Sequence, residues 1–177
     1  MMSPKSVVLY GILIALVAAL TLIYVPIPST KGYFNLGEVM IFFAAFVFGG
    51  KVAGIAGAFG AGIVDLIVAP HFFPGTFVIK FCEGFVAGTI ASSLSNASNI
   101  WAVRTLAVGI GGTIMIAGYF CYEAFILPLG LSATGGIPVA ITEVPWNIFQ
   151  VLIGGLTAIL LAEGVERSYP RISDFKI

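Results

Sequence analysis

The chain has 177 residues, 59% of them hydrophobic and 9% charged, with eight basic and eight acidic side chains that sum to zero net charge. That composition, with a mean hydropathy of +1.10, describes an integral membrane protein and excludes a water-soluble domain. At about 20 residues per crossing helix, residues 1–177 accommodate six transmembrane helices in one compact all-α bundle with no soluble lobe, and the lack of a basic tract excludes a nucleic-acid partner.

Gly and Pro clusters and the few charges cut the chain into six apolar segments. The first, 7–25, follows a lone lysine and runs into Tyr24-Val25-Pro26-Ile27-Pro28 rather than a small-residue cleavage site, so it reads as a retained helix. Gly11, Ala15 and Ala19 form a stripe of small residues on it, suited either to internal packing or to docking another helix. The second segment, 36–48, is short for a span and ends at Gly49-Gly50-Lys51. The third, 52–69, follows Gly50 and carries Gly54, Ala58 and Gly62 at four-residue spacing, a face for close packing, with Asp65 one turn beyond. After Pro70-His71-Phe72-Phe73-Pro74-Gly75 comes the fourth, 76–94, on which Lys80 and Glu83 share a face as a self-neutralising pair. The fifth, 101–125, has Tyr119 and Glu123 near one end. A Gly/Pro-rich connection leads to the sixth, 144–163, where Glu143, Asn147, Gln150 and Gly154 draw a polar stripe. Cys82 and Cys121 have no metal-type spacing and read as small packing residues.

Orientation follows from the positive charges near helix ends. With the N-terminus inside, Lys5, Lys51, Arg104, Arg167, Arg171 and Lys176 are cytoplasmic and Lys31 alone is outside. Both termini are then cytoplasmic, and the outer connections 26–35, 70–75 and 126–143 are candidate lids.

An ionisable group in hydrocarbon costs several kcal/mol, so Asp65, Lys80, Glu83, Glu123 and Glu143 are expected to face the bundle interior, as structural pairs or as markers of a binding path. They gather with Asn147 and Gln150 toward the outer half, near the aromatics Tyr33, Phe34, Phe72, Phe73, Tyr119, Tyr122 and Trp146. This suits a flat, partly polar heteroaromatic ligand, although single aromatics also fit an interfacial belt. Four acids against Lys80 make an amine-bearing or cationic ligand an alternative to a neutral one. The sequence has no HExxH, GxSxG, ATP-binding or metal-site motif, which argues against an enzyme. The lack of a filter sequence or internal repeat argues against a channel.

The segments Ile27-Pro28-Ser29-Thr30-Lys31-Gly32-Tyr33-Phe34-Asn35-Leu36-Gly37-Glu38 and Phe77-Val78-Ile79-Lys80-Phe81-Cys82-Glu83-Gly84-Phe85-Val86-Ala87-Gly88 resemble the substrate-binding S components of energy-coupling factor (ECF) vitamin transporters, in particular the riboflavin-type group. The resemblance implies a multi-pass subunit of the cell membrane that captures a vitamin or heterocyclic precursor from outside. Riboflavin is the first expectation, and pyrimidine, pyridoxine or thiamin types are the alternatives. No cofactor is implied, the vitamin being substrate. The implied partners are a membrane-embedded coupling (T) subunit and two cytoplasmic ATPase subunits. The family's docking motif maps onto Ala15 and Ala19, in line with Gly11, and its lid onto 33–36. The expected substrate contacts are Lys80, Glu83, Glu123, Asn147 and Gln150, with Tyr33, Asn35, Phe73, Tyr119 and Trp146 closing the site. A proton-linked carrier using Asp65 and Glu123, and an assembly subunit of a membrane complex, are the rival readings.

Overall fold

In a bilayer every backbone N–H and C=O must be satisfied within the chain, which directs an apolar segment into a helix. The computed structural model describes residues 4–131 and 135–175, so Lys176 and part of the last connection, 132–134, lie outside the described residues. It contains six α-helices: α1 (Pro4–Thr21), α2 (Gly37–Phe48), α3 (Gly50–Val68), α4 (Phe73–Ser93), α5 (Ile100–Cys121) and α6 (Ile137–Ser168). Pro4–Thr21, Gly50–Val68, Ile100–Leu129 and Ile137–Ser168 are each long and apolar enough to cross a membrane. The protein is an all-α membrane bundle. Its outer surface is apolar, with Val7, Ile12, Phe59, Ile67, Phe149 and Leu156 all exposed, as contact with lipid tails requires. Cys82 and Cys121 are exposed as well, so they do not serve as the small packing residues expected from sequence.

The shortness of α2 has a structural purpose. Its 12 residues rise about 18 Å, well short of a hydrocarbon core of about 30 Å. Every residue from Gly37 to Phe48 is buried, with α1, α3, α4 and α6 packed around it. A helix apolar on all sides belongs in such a position. Because it is short, its N-terminus opens inside the bundle, below the mouth.

The most extensive helix contact is between α3 and α4, and glycines make it possible. A Cβ on Gly88 would lie 2.5 Å from the Gly50 nitrogen, and one on Gly84 would lie 2.7 Å from the Ala53 carbonyl. Backbone therefore meets backbone, the usual route to helix association in lipid.

Several boundaries differ from the sequence expectation. The first helix stops at Thr21 because Tyr24–Pro26 (β1) pairs antiparallel with Tyr33–Asn35 (β2), with Val25 opposite Phe34. The connection 26–35 is thus an ordered hairpin. The α-helical part of the fifth segment ends at Cys121, and Tyr122–Ile126 forms a π-turn closed by the Leu127 N–H on the Tyr122 carbonyl, followed by a 3-10 turn at Leu127–Leu129. The sixth helix starts at Ile137, well before 144. Pro138 lies in its first turn, where no N–H is needed, and Pro145 is accommodated inside it. The helix runs on to Ser168, past 163, with Glu163 and Arg167 paired on its last turns.

Lys5, Lys51, Arg167 and Arg171 fall at the end away from the hairpin, whereas Lys31 lies in it. Arg104 is only 3% exposed; it pairs with Glu166 at 2.6 Å and lies over the Phe46 ring at 5.5 Å. It therefore ties α5 to α6 as well as adding to the charge asymmetry.

Candidate functional site

The site is built on the buried N-terminus of α2. Glu38, in the first turn, is fully buried, where the positive end of the helix dipole favours an anion. Lys80 of α4 pairs with Glu38 and donates to Glu83 Oε2 at 3.1 Å. Gln150 of α6 donates to Glu38 Oε1 at 3.0 Å, and its own Oε1 accepts the Asn35 N–H at 2.9 Å. Asn35 Oδ1 in turn accepts the Gly37 N–H at 2.8 Å. One network thus joins the hairpin to α2, α4 and α6. Gly154 keeps the room it needs, since a Cβ there would strike the Glu38 side chain. The Lys80 ammonium also lies 5.4 Å from the centre of the Tyr119 ring, a cation–π distance.

The hairpin closes over this network through two side-chain latches. Tyr33 donates its hydroxyl to Asp65 of α3, and Thr30 donates to Glu143 of α6. Burial, and then the charge of Asp65, raise the Tyr33 phenol above its usual range, so it stays a neutral donor. The Gly32 N–H donates to Thr30 Oγ1 at 3.1 Å, and Gly32 packs so closely on Glu143 that any side chain there would collide with the carboxylate.

Between hairpin and network lies a cavity of about 30 Å³. Seven residues selected from sequence line it: Tyr33, Asn35, Lys80, Tyr119, Glu123, Asn147 and Gln150. The other three do not. Glu83 lies behind Lys80 as its ion-pair partner. Phe73 packs on Gly62 and Phe77, and its neighbour Phe72, 6% exposed, supplies the aromatic wall beside Tyr119. Trp146 is 42% exposed and turned outward.

The structure adds residues to the sequence-selected set. Asp65 and Glu143, 2% and 4% exposed, line the cavity, as does Thr76, whose hydroxyl is 2.9 Å from that of Tyr119. The burial of Asp65 was legible as an acid in an apolar helix, and Glu143 began the polar stripe. Glu38, at the end of an apolar run, carried no signal of its partner Lys80.

Glu123 stands apart. It lies on the π-turn, a feature frequent at functional sites, is 1% exposed, and its Oε2 meets no donor among the described residues. Tyr122, next to it, donates to the His71 carbonyl at 2.7 Å and closes the wall toward the α3–α4 connection. Burial, and then the charge of Lys31, hold the His71 imidazole below its usual value.

The arrangement suits capture of a small ligand: aromatic walls, a few convergent polar groups and a closable mouth. Among the described residues no group of three or more His, Cys, Asp or Glu is disposed to hold a metal ion. Away from the site, Gly11, Ala15 and Ala19 are all exposed on α1, and nothing lies within 4 Å of where a Gly11 Cβ would be. The small stripe is therefore an unpartnered face of the bundle.

The family model described as ECF-type riboflavin transporter, S component, matches residues 1–167. An uncharacterized protein in the gap 3' region of Pyrococcus woesei is 31% identical over 134 residues, covering 76% of this chain and 85% of that protein. The thiamine precursor transporter HmpT of Lactococcus lactis subsp. cremoris (strain MG1363) is 29% identical over 145 residues, covering 81% and 76% respectively.

Proposed function

Since the chain belongs to the ECF-type riboflavin transporter S component family, we propose that it is the substrate-binding subunit of an importer for a small heterocyclic vitamin or vitamin precursor, with riboflavin and thiamine precursors as the first candidates. Riboflavin is suggested by the family, and a thiamine precursor by the function of HmpT. The observation that carries the reading is the latched hairpin over a buried cavity with convergent polar groups.

The excess of Lys and Arg at the end opposite the hairpin supports a topology with that end in the cytoplasm and the hairpin outside. Capture starts with the hairpin lifted. The closed cavity is about the size of one water, whereas a drug-sized ligand fills roughly 300 Å³ or more, so binding and hairpin movement are one event. Tyr119 and Phe72 offer ring faces for stacking, and Asn147 and Gln150 offer amides that orient the ligand. The Tyr33 and Thr30 latches then close over it.

The sequence has no phosphate-binding loop, so the energy for import comes from partner ATPases through a membrane-embedded coupling subunit. The exposed Gly11, Ala15 and Ala19 stripe is the docking face, since small residues let two helices approach closely in lipid. The test is isothermal titration of the purified chain in detergent with a vitamin panel that includes riboflavin and thiamine precursors. Binding of one heterocycle at one site per chain is expected, and failure of the whole panel to bind refutes the reading.

A further inference from the structure

The charges around the cavity do not balance. Three carboxyl groups line it, those of Asp65, Glu123 and Glu143, against one ammonium, that of Lys80. That ammonium is already engaged by Glu38 and Glu83, which have no other cation beside them among the described residues. The positive charge at the site is therefore spent on the network below, and none is left for the lining carboxyls.

Two of those three take donors from the lid, Glu143 wholly and Asp65 in part, since Thr76 of α4 also bonds Asp65. Asp65 is held by the Tyr33 hydroxyl and Glu143 by the Thr30 hydroxyl, and both donors leave when the hairpin lifts. The third has an oxygen with no donor even in the closed form: Glu123 Oε2 is buried, lines the cavity and has no partner among the described residues. A buried acceptor without a donor is costly, more so for a carboxylate. An incoming molecule thus meets a ring of acceptors that needs donors, together with the Asn147 amide, which offers both.

We propose that the site selects a small aromatic heterocycle carrying an exocyclic amine, bound through its N–H donors or positive charge by Glu123 with Asp65 and Glu143 beside it, in preference to a neutral, acceptor-rich ring system such as a flavin. This rests on the substrate-binding reading above and narrows its ligand. The Asn147 amide, which lines the cavity, complements an amine beside a ring nitrogen, where donor and acceptor are adjacent.

The experiment titrates the full chain in detergent, after dialysis to remove carried ligand, with a matched pair, 4-amino-5-hydroxymethyl-2-methylpyrimidine and its 4-hydroxy analogue, and with riboflavin. The amino compound is expected to bind roughly ten- to a hundredfold tighter than the hydroxy compound, the range for a charge-assisted hydrogen bond, and tighter than riboflavin. In Glu123→Gln that preference is expected to shrink at least about tenfold, while the ligand-free thermal midpoint reports that the variant is folded. If that variant does not fold, the wild-type comparison decides alone. Riboflavin or the hydroxy compound binding tightest overturns the inference and leaves the substrate-binding reading standing. Failure of all three, and of a wider vitamin panel, overturns both. An undiminished preference in a folded Glu123→Gln protein overturns the assignment to Glu123.

Discussion

Lys80→Met removes the only cation among the residues lining the cavity while keeping an unbranched chain of similar bulk, so it isolates charge from packing. Glu38 and Glu83 are both fully buried, and Glu38 Oε2 and Glu83 Oε1 already lack partners among the described residues. Without Lys80 these acids lose their counter-charge and Glu83 loses its donor. Breaking a buried pair in this way costs about 3–5 kcal/mol. For a chain of this length each kcal/mol moves the thermal midpoint by roughly 2–4 °C, so a fall of roughly 6–20 °C is expected. Glu38→Gln in the same background removes one of the stranded charges and keeps a group that Gln150 can bond, so it recovers part of the loss. The assay is thermal unfolding of ligand-free protein in detergent, run as a double-mutant cycle over the two positions. A Lys80→Met protein within about 2 °C of wild type, or two effects that simply add, refutes Lys80 as the neutralising centre.

Tyr33→Phe deletes one lid latch and leaves the ring in place against Tyr24, 5.2 Å away. Loss of a hydrogen bond to a carboxylate predicts a ligand off-rate roughly ten- to a hundredfold faster, measurable by stopped-flow fluorescence. Ala15→Trp and Ala19→Trp cap the exposed stripe of α1, so ligand binding is retained while uptake by the complete transporter is lost; full uptake would place the docking face elsewhere. Gly88→Ala drives a methyl group to 2.5 Å from the Gly50 nitrogen and is expected to destabilise by about 1–3 kcal/mol. Gly164→Ala, with nothing within 4 Å, lacks that clash and serves as the control in the same melt. For His71, whose folded value is held below the usual one, the folded state binds fewer protons than the unfolded. Its contribution to stability is present above the ordinary histidine value of about 6.5 and fades as pH falls below it. His71→Gln is expected to flatten that part of the melting-temperature profile.

The helices were legible because lipid allows an apolar run little other than a helix, and the α3 glycine spacing announced a closely packed face, though not that α4 is its partner. The hairpin was not. Its strands have three residues each, too few to show alternation, and Pro26 disguises one of them as a plain loop. The π-turn at Tyr122–Ile126 has no compositional mark, although the inward aim of Glu123 was legible as an acid in an apolar run. Trp146 was misplaced by phase: at about 100° per residue it sits a sixth of a turn off Glu143, away from Asn147, and that is enough to turn it to the outside. Phe73 and Phe72 exchanged roles for a related reason, since α4 begins at Phe73 rather than at 76 and Phe72 remains in the connection above the cavity. Glu38 shows the deeper limit. Its motif was visible, yet its partners Lys80 and Gln150 are far away in sequence, and only packing brings them together.

The central claim, that the cavity beneath the hairpin holds a vitamin-class heterocycle, is tested most directly by denaturing the chain purified from cells and identifying the released small molecule by absorbance and mass spectrometry. One heterocycle of that class, recovered in stoichiometric amount, is the predicted result. A protein that releases nothing and gains no thermal stability from any member of a vitamin panel would contradict the account.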